Sequence, residues 1–122
     1  MPYGYELILD IHNCNESKFT RNDIEKYFIM LCDLIGMQRE NLYFWDYQGV
    51  PLEERSTESH LLGTSAVQFI STSNITIHAL DLLRTVFINI FSCKPFNYQT
   101  AKQFSADWFE GDIINCHEVE RL

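Results

Sequence analysis

The sequence predicts an α+β fold, a two-layer sandwich in which one mostly antiparallel sheet carries two helices on one face. Three observations predict it. Six segments alternate apolar and polar residues or are rich in β-branched and aromatic residues, as strands are, and two longer segments space their apolar residues three and four apart, as helices do. Three of the strand segments follow one another with short polar links, which favours antiparallel hairpins. At 122 residues the chain has room for one core, so residues 1–122 are predicted to form a single domain.

The first half of the chain begins with a strand and a helix. The strand is predicted at residues 5–12, where apolar side chains occupy one face. The helix is predicted at residues 19–36, because its apolar residues recur at helical spacing. Thr20 can cap its start, Asp23 follows three residues later in the manner of a capping box, and Gly36 can end it. Both ends of this helix therefore carry a local signal.

The middle of the chain is predicted to hold four strands and one long loop. The strands are expected at 41–47, which is rich in aromatic residues, and at 65–71, 74–80 and 85–93. The loop at 48–62 contains glycine, proline and charged residues without periodicity. Loops of this length in small domains are often functional or mobile.

The C-terminal part is predicted to be a helix followed by a last strand. The helix spans 97–111 and ends at Gly111, and the strand spans 112–120. One side of the helix carries Ala101, Phe104 and Trp108. The predicted order is therefore β-α-β-β-β-β-α-β.

The strand predicted at 85–93 has apolar side chains on both faces. Val86 and Ile88 lie on one face, and Phe87 and Phe91 lie on the other. A two-layer sandwich covers only one face of its sheet. We therefore predict a homodimer in which the sheets of two copies pack against each other.

Composition and charge exclude several kinds of partner. The formal net charge of −8 argues against nucleic acid, because phosphate binding requires clustered lysine and arginine. No apolar run reaches the ~20 residues that span a bilayer, and no basic stretch leads into an apolar run as in a signal peptide, so we expect a cytoplasmic protein without a membrane partner. We expect reduced thiols and no metal, because the cysteines form no CxxC pair and no metal-ligand spacing with histidines. The cysteines are Cys14, Cys32, Cys93 and Cys116.

Four residues of the predicted hairpins have a fixed spacing. Relative to Ser73, a serine lies eight residues earlier, a histidine five later and a cysteine twenty later: Ser65, His78 and Cys93. Each also has a plain structural interpretation. Ser73 could start a strand, and Ser65 could pack beside a turn. His78 could hydrogen-bond within a sheet, and Cys93 could fill space in the core. The family resemblance given next implies a second interpretation for the set, self-processing, in which the Ser73 hydroxyl attacks the preceding carbonyl. That reaction needs a strained turn, a donor for the oxyanion and a neighbouring proton carrier.

Three stretches of the chain carry a family resemblance: GYELILDIHNC, GTSAVQFISTSNITIHAL and FINIFSCKPF. In them the chain resembles the small prokaryotic S-adenosylmethionine decarboxylases, in which an internal serine becomes a pyruvoyl group by self-cleavage. The resemblance implies cleavage between Thr72 and Ser73 into a β chain, 1–72, and an α chain, 73–122. It also implies that the pyruvoyl group made from Ser73 forms a Schiff base with the substrate and withdraws electrons as carbon dioxide leaves.

The resemblance implies roles for the other three residues. Ser65 and His78 assist processing, and Cys93 returns a proton to the α-carbon, which suits a thiol with an ordinary pKa of ~8.5 at neutral pH. The expected activity is decarboxylation of S-adenosylmethionine, a small amino-acid-type substrate, in spermidine and other polyamine biosynthesis. In this family the second subunit of a homodimer supplies part of the pocket.

The cleavage point and the substrate pocket depart from the family pattern. Glu-Ser-His is usual where this chain has Thr72-Ser73-Asn74. The glutamate that binds the ribose hydroxyls falls at Leu82, and Asp81, one residue earlier, is a weak substitute because adjacent strand residues point to opposite faces. The aromatic residue that stacks on adenine is missing from the matching stretch TESHLL, although aromatic residues of the second strand could supply a face.

Two other functions stay open. The loss of both nucleoside contacts and the acidic composition fit a pyruvoyl-dependent decarboxylase of a basic amino acid such as ornithine or arginine. The altered residues at the cleavage point fit an uncleaved, non-enzymatic relative that binds a metabolite or regulates a partner. Release of carbon dioxide distinguishes the substrates, and the mass of the purified chain distinguishes a cleaved protein from an uncleaved one.

Overall fold

The protein is a six-stranded sheet with two helices against one face. The computed structural model describes all residues, Met1–Leu122. Its main elements are β1 (Gly4–His12), α1 (Arg21–Ile35), β2 (Arg39–Trp45), β3 (Gly63–Ile70), β4 (Ser73–Leu80), β5 (Thr85–Ser92), α2 (Tyr98–Phe109) and β6 (Asp112–Arg121). Neighbouring strands are antiparallel, and the order across the sheet is β2-β3-β4-β5-β1-β6. The predicted α+β sandwich is confirmed. Neither helix is long and apolar enough to cross a membrane.

Both ends of α1 form as the sequence predicts. The Thr20 hydroxyl accepts a hydrogen bond from the Asp23 backbone N–H at 3.1 Å and donates one to the Asp23 carboxylate at 2.8 Å. Gly36 ends the helix in the left-handed conformation, at φ 72°, which glycine adopts without steric cost. These contacts satisfy backbone groups that have no partner within the helix.

The C-terminus of α2 differs from the prediction by one residue. Glu110, and not Gly111, adopts the left-handed conformation, at φ 54°. Gly111 is needed for space, because a Cβ atom there would lie 2.7 Å from the carbonyl oxygen of His12. The glycine therefore marks a close approach between the end of α2 and the end of β1.

The core lies between the sheet and the two helices. Apolar residues of α1, of α2 and of the inward face of the sheet form a single buried cluster, which includes Ala101 and Phe109 of α2. Within it the hydroxyls of Tyr27 in α1 and Ser105 in α2 hydrogen-bond to each other at 2.6 Å. The two helices are thus joined by apolar packing and by a polar pair whose members satisfy each other.

The opposite face of the sheet is uncovered, and we call it the open face. Along β4, Ser73, Ile75 and Ile77 point toward the helices. The side chains that alternate with them, including that of His78, therefore point to the open face. Its exposed aromatic residues are Tyr43, Trp45, Phe69 and Phe87. The homodimer that would cover this face stays a prediction.

Strand β2 bulges where it approaches the turn between β3 and β4. Arg39 pairs with Ile70, and Leu42 pairs with Gln68, so two residues of β2 lie opposite one residue of β3. The fully buried side chain of Gln68 fills the bulge. Its amide donates to the Glu40 carbonyl at 3.0 Å, and its oxygen accepts from the Arg39 guanidinium at 3.0 Å. The bulge is therefore a hydrogen-bonded feature of the fold.

Candidate active site

The turn between β3 and β4 consists of two residues, Ser71 and Thr72, because Ile70 pairs directly with Ser73 across it. Thr72 has a φ of 56°, in the left-handed region. Residues with a branched Cβ rarely occupy that region, and strained backbone of this kind costs on the order of 1–3 kcal/mol. The peptide bond predicted to be cut therefore follows a strained residue.

Three of the residues predicted for the site meet at this turn. The Ser73 hydroxyl oxygen accepts a hydrogen bond from the backbone N–H of Cys93 at 2.9 Å. The Cys93 sulfur lies 3.0 Å from the Thr72 hydroxyl. Cys93 reaches this place because it directly follows β5, which pairs with β4. Thr72, Ser73 and Cys93 thus form one contiguous group.

The surroundings of Cys93 favour its thiolate. Hydrogen bonds from the Thr72 hydroxyl and then from the Ser73 hydroxyl lower the pKa of this thiol below its ordinary value. Burial raises the pKa of Cys14 and of Cys32 to about 11 instead. Cys93 is therefore the most reactive of these three thiols at neutral pH.

A cavity of about 440 Å³ adjoins the turn. Its wall is formed by the segment after α1, by the turn itself and by the end of β5, and it includes Thr72, Cys93 and Lys94. The Lys94 ammonium donates to the Gly36 carbonyl at 2.6 Å. Pockets of about 300–1,000 Å³ hold small molecules, so this space suits a small substrate.

The other two predicted residues form a pair on the open face. The Ser65 hydroxyl and the Nδ1 atom of His78 lie 2.7 Å apart, because the two residues face each other across β3 and β4. The His78 ring stacks on Phe87, with 6.3 Å between ring centroids and 22° between planes. Trp45 pairs with Ser65 from the other side. The pair is thus oriented by aromatic neighbours.

A single chain does not bring this pair to the cleavage point. Ser73 and His78 are five residues apart on β4, about 16 Å along a strand. Because five is odd, their side chains point to opposite faces of the sheet. Within one chain, His78 therefore cannot transfer a proton at Ser73.

Asp81 lies beyond the other end of β4, in the turn to β5. One of its carboxylate oxygens is buried without a hydrogen-bond partner, and burial, followed by the charge of Glu16, raises the pKa of this group. It lines two cavities of about 300 and 360 Å³, both of which Arg55 and Leu62 also line. Asp81 is thus remote from Ser73 in the same chain, at the end of β4 where His78 lies.

The structure adds residues to the cleavage site that the sequence did not indicate. The Ser71 backbone N–H donates to the Gln38 carbonyl at 3.2 Å, and the Ser71 hydroxyl donates to the Glu40 carboxylate at 3.2 Å. Lys94 enters from the position next to Cys93. Gln38 and Glu40 are distant in sequence, so no local signal could have found them. No group of three or more histidine, cysteine or acidic side chains is arranged to hold a metal ion.

Two of three comparisons with known proteins found a similarity. Residues 5–122 match the family model described as S-adenosylmethionine decarboxylase. The crystal structure of the adenosylmethionine decarboxylase from Aquifex aeolicus VF5 is similar, with a TM-score of 0.77 and 15% sequence identity over 98% of this chain and 91% of that one. At that identity the similarity shows a shared fold. A comparison with curated protein sequences gave no match.

Proposed function

The chain belongs to the S-adenosylmethionine decarboxylase family, and from this premise we propose that it is a pyruvoyl-dependent decarboxylase that cuts itself between Thr72 and Ser73. The observation that carries the proposal is the β3–β4 turn, where the strained Thr72, the Ser73 hydroxyl and the Cys93 thiol adjoin a cavity. Left-handed residues are common in tight turns, and Arg84 is another in this chain, but a turn with no chemical task does not need a serine hydroxyl and a thiol grouped beside such a residue. The first substrate to consider is S-adenosylmethionine, for polyamine biosynthesis.

Self-cleavage begins with the Ser73 hydroxyl. Its oxygen attacks the carbonyl carbon of Thr72, the peptide C–N bond breaks, an ester forms, and the hydroxyl proton passes to the freed amine. Loss of the α-proton of Ser73 then breaks the bond between Cβ and Oγ, so that Oγ leaves within the Thr72 carboxylate and residue 73 becomes an enamine. The enamine takes up a proton at Cβ to form an imine, and water hydrolyses the imine to the pyruvoyl ketone with release of ammonia.

Cys93 has two roles in this proposal. Its backbone N–H already donates to the Ser73 oxygen, on which negative charge develops during elimination. Cleavage also changes the surroundings of its thiol. The hydroxyl of Ser73 is removed as a hydrogen-bond partner, and the Thr72 hydroxyl is no longer held in place, because Thr72 becomes a chain end. Since both hydroxyls lower the pKa of the thiol in the intact chain, we expect that pKa to rise after cleavage.

A protonated Cys93 suits the later chemistry. The pyruvoyl group supplies an electron sink for the loss of carbon dioxide from an α-amino acid. The thiol, on the wall of the adjoining cavity, then donates a proton to the substrate α-carbon. The size of the cavity supports a substrate of this class.

The Ser65–His78 pair requires a second copy of the chain to act in processing. It lies on the open face, about 16 Å along β4 from Ser73. A homodimer that covers the open faces would carry the pair of one subunit to the cleavage point of the other. Mixing two inactive variants tests this arrangement. His78→Ala chains alone should stay intact, and they should be cleaved when Ser73→Ala chains supply the histidine; no cleavage in the mixture would contradict a shared site.

Mass spectrometry of the purified protein under denaturing conditions tests the cleavage itself. We expect two fragments that separate between Thr72 and Ser73, the C-terminal one beginning with a blocked group that reacts with carbonyl reagents. Ser73→Ala is the matched control and should stay intact. A wild-type chain that stays intact after long incubation would refute self-cleavage and favour the uncleaved, non-enzymatic relative.

A basic amino acid is the second candidate substrate. The observation that favours it is Asp81, whose buried carboxylate oxygen has no partner at the wall of two cavities. In a homodimer that brings Asp81 of one subunit to the pocket of the other, an ammonium or guanidinium group of ornithine or arginine would satisfy that oxygen. Leu82, at the position of the ribose-binding glutamate of the family, cannot bind a diol. Carbon dioxide release from S-adenosylmethionine, ornithine and arginine, each at equal concentration, decides between the candidates.

A further inference from the structure

Residue Ser71, which precedes the strained Thr72, is held by two hydrogen bonds from β2 and the residue before it. Its backbone N–H donates to the Gln38 carbonyl at 3.2 Å, and its hydroxyl donates to the Glu40 carboxylate at 3.2 Å. On the other side of Thr72, the Ser73 hydroxyl is held by the Cys93 backbone at 2.9 Å. Thr72 therefore lies between two residues that are held by hydrogen bonds, and its own backbone torsions must adjust so that the turn can connect them.

The β2 bulge aims the Glu40 carboxylate at the turn. Gln68 fixes the backbone of the bulge by donating to the Glu40 carbonyl at 3.0 Å. The Gln38 amide donates to the same carboxylate oxygen that Ser71 contacts, at 3.2 Å. The carboxylate is thus oriented from its backbone and from its neighbour before it contacts Ser71.

We propose that Glu40 is a positioning residue for the cleavage of the Thr72–Ser73 bond. It holds Ser71 and so keeps Thr72 in the left-handed conformation from which the bond is cut. This inference rests on the proposed function.

The rate of cleavage tests whether Glu40 holds Ser71 in place. Glu40→Ala removes both side-chain hydrogen bonds, and we expect cleavage to slow about five-fold. In Glu40→Gln the amide oxygen can accept from both Ser71 and Gln38, so this variant should keep the wild-type rate within about two-fold. Glu53→Gln removes an exposed acid far from the turn and serves as the matched control for charge. A Glu40→Ala chain that is cleaved at the wild-type rate would overturn the proposal.

The coupling between Glu40 and Ser71 gives a readout that a role of Glu40 elsewhere in β2 would not move. Glu40→Ala should slow cleavage about five-fold when Ser71 is present and less than two-fold in a Ser71→Ala chain, because the contact is already absent there. If Glu40→Ala slows cleavage equally in both chains, Glu40 does not act through Ser71 and the proposal fails.

A second measurement separates failure of this inference from failure of the proposed function. In a Ser73→Ala background no cleavage can occur, and urea unfolding reports only on the intact turn. There Glu40→Ala should lower the folding equilibrium constant about three-fold more with serine than with alanine at position 71. If no chain is ever cleaved, self-cleavage is refuted and this coupling alone decides whether Glu40 positions the turn. A coupling of zero refutes the inference whether or not the wild type is cleaved.

Discussion

Replacing Thr72 by glycine isolates the strain in the β3–β4 turn. Thr72 holds a φ of 56°, a conformation that costs an L-residue roughly 1–2 kcal/mol and costs glycine nothing. Glycine gives back about 0.5–1 kcal/mol, because its unfolded chain is more flexible. The Thr72 hydroxyl bonds to Ser71 and Cys93 are lost in any such variant. Thr72→Ala, which loses the same bonds but keeps the Cβ atom, is therefore the matched control.

The comparison yields two expected differences. In a Ser73→Ala background, Thr72→Gly should be more stable than Thr72→Ala by about 1 kcal/mol, measured as a shift in the urea midpoint at constant slope. If cleavage releases the strain of the turn, then removing that strain by Thr72→Gly lowers the driving force of the reaction by the same energy. With Ser73 present, Thr72→Gly should then be cleaved about five-fold more slowly than Thr72→Ala, since 1.36 kcal/mol corresponds to a factor of ten.

Each difference can refute a separate step of the reasoning. A glycine variant no more stable than the alanine variant would show that the turn is not strained. A glycine variant that is more stable and yet is cleaved as fast as the alanine variant would show that the strain does not contribute to the reaction. The stability measurement therefore tests whether the conformation of Thr72 is strained, and the rate measurement tests whether that strain contributes to cleavage.

Three further predictions concern a thiol, the bulge and an ion pair. Because the pKa of Cys93 is lowered in the intact chain and burial raises that of Cys14 to about 11, iodoacetamide at pH 8 should label Cys93 before Cys14 in the uncleaved His78→Ala chain, as peptide mapping would show; equal labelling of the two would contradict this. Gln68→Leu should destabilise the chain by about 2–3 kcal/mol in urea, because the bulge loses its hydrogen bonds in a fully buried place; a loss under about 0.5 kcal/mol would contradict it. Hydrogen bonds from Arg21 lower the pKa of Asp46, so its stabilisation is complete above about pH 4 and is lost as pH falls through the lowered pKa. Asp46→Asn should therefore cost at most about 1 kcal/mol at pH 7 and less as the pH falls through the lowered pKa of Asp46, and a cost that grows on acidification would contradict the assignment.

Local signals in the sequence predicted the elements of the fold well. Thr20 and Gly36 each act within a few residues of the helix ends they define, and the aromatic-rich segment 41–47 predicted a strand that the structure has as β2, Arg39–Trp45. The predicted end of α2 was wrong by one residue because the glycine at position 111 is required by a contact distant in sequence, with the carbonyl of His12. A glycine required by packing looks the same in sequence as a glycine required by torsion.

The candidate site was predictable in part. The spacing of Ser73 and Cys93 led to a group that the paired strands β4 and β5 bring together. The separation of His78 from Ser73 is also present in the sequence, because an odd offset on a strand places two side chains on opposite faces. Glu40 could not be predicted, because its contact with Ser71 depends on a bulge that exists only once β2 pairs with β3.

The strand order has a consequence for the protein if it is cut between Thr72 and Ser73. The proposed β chain would contain β1, β2 and β3, the proposed α chain would contain β4, β5 and β6, and β1 lies between β5 and β6. The two fragments would therefore interleave within one sheet and stay joined along three strand interfaces, β3–β4, β5–β1 and β1–β6. Cutting a single bond would leave the folded sheet whole but make unfolding a dissociation of the two fragments. The stability of the cut protein should then depend more steeply on its concentration than that of the uncut Ser73→Ala protein.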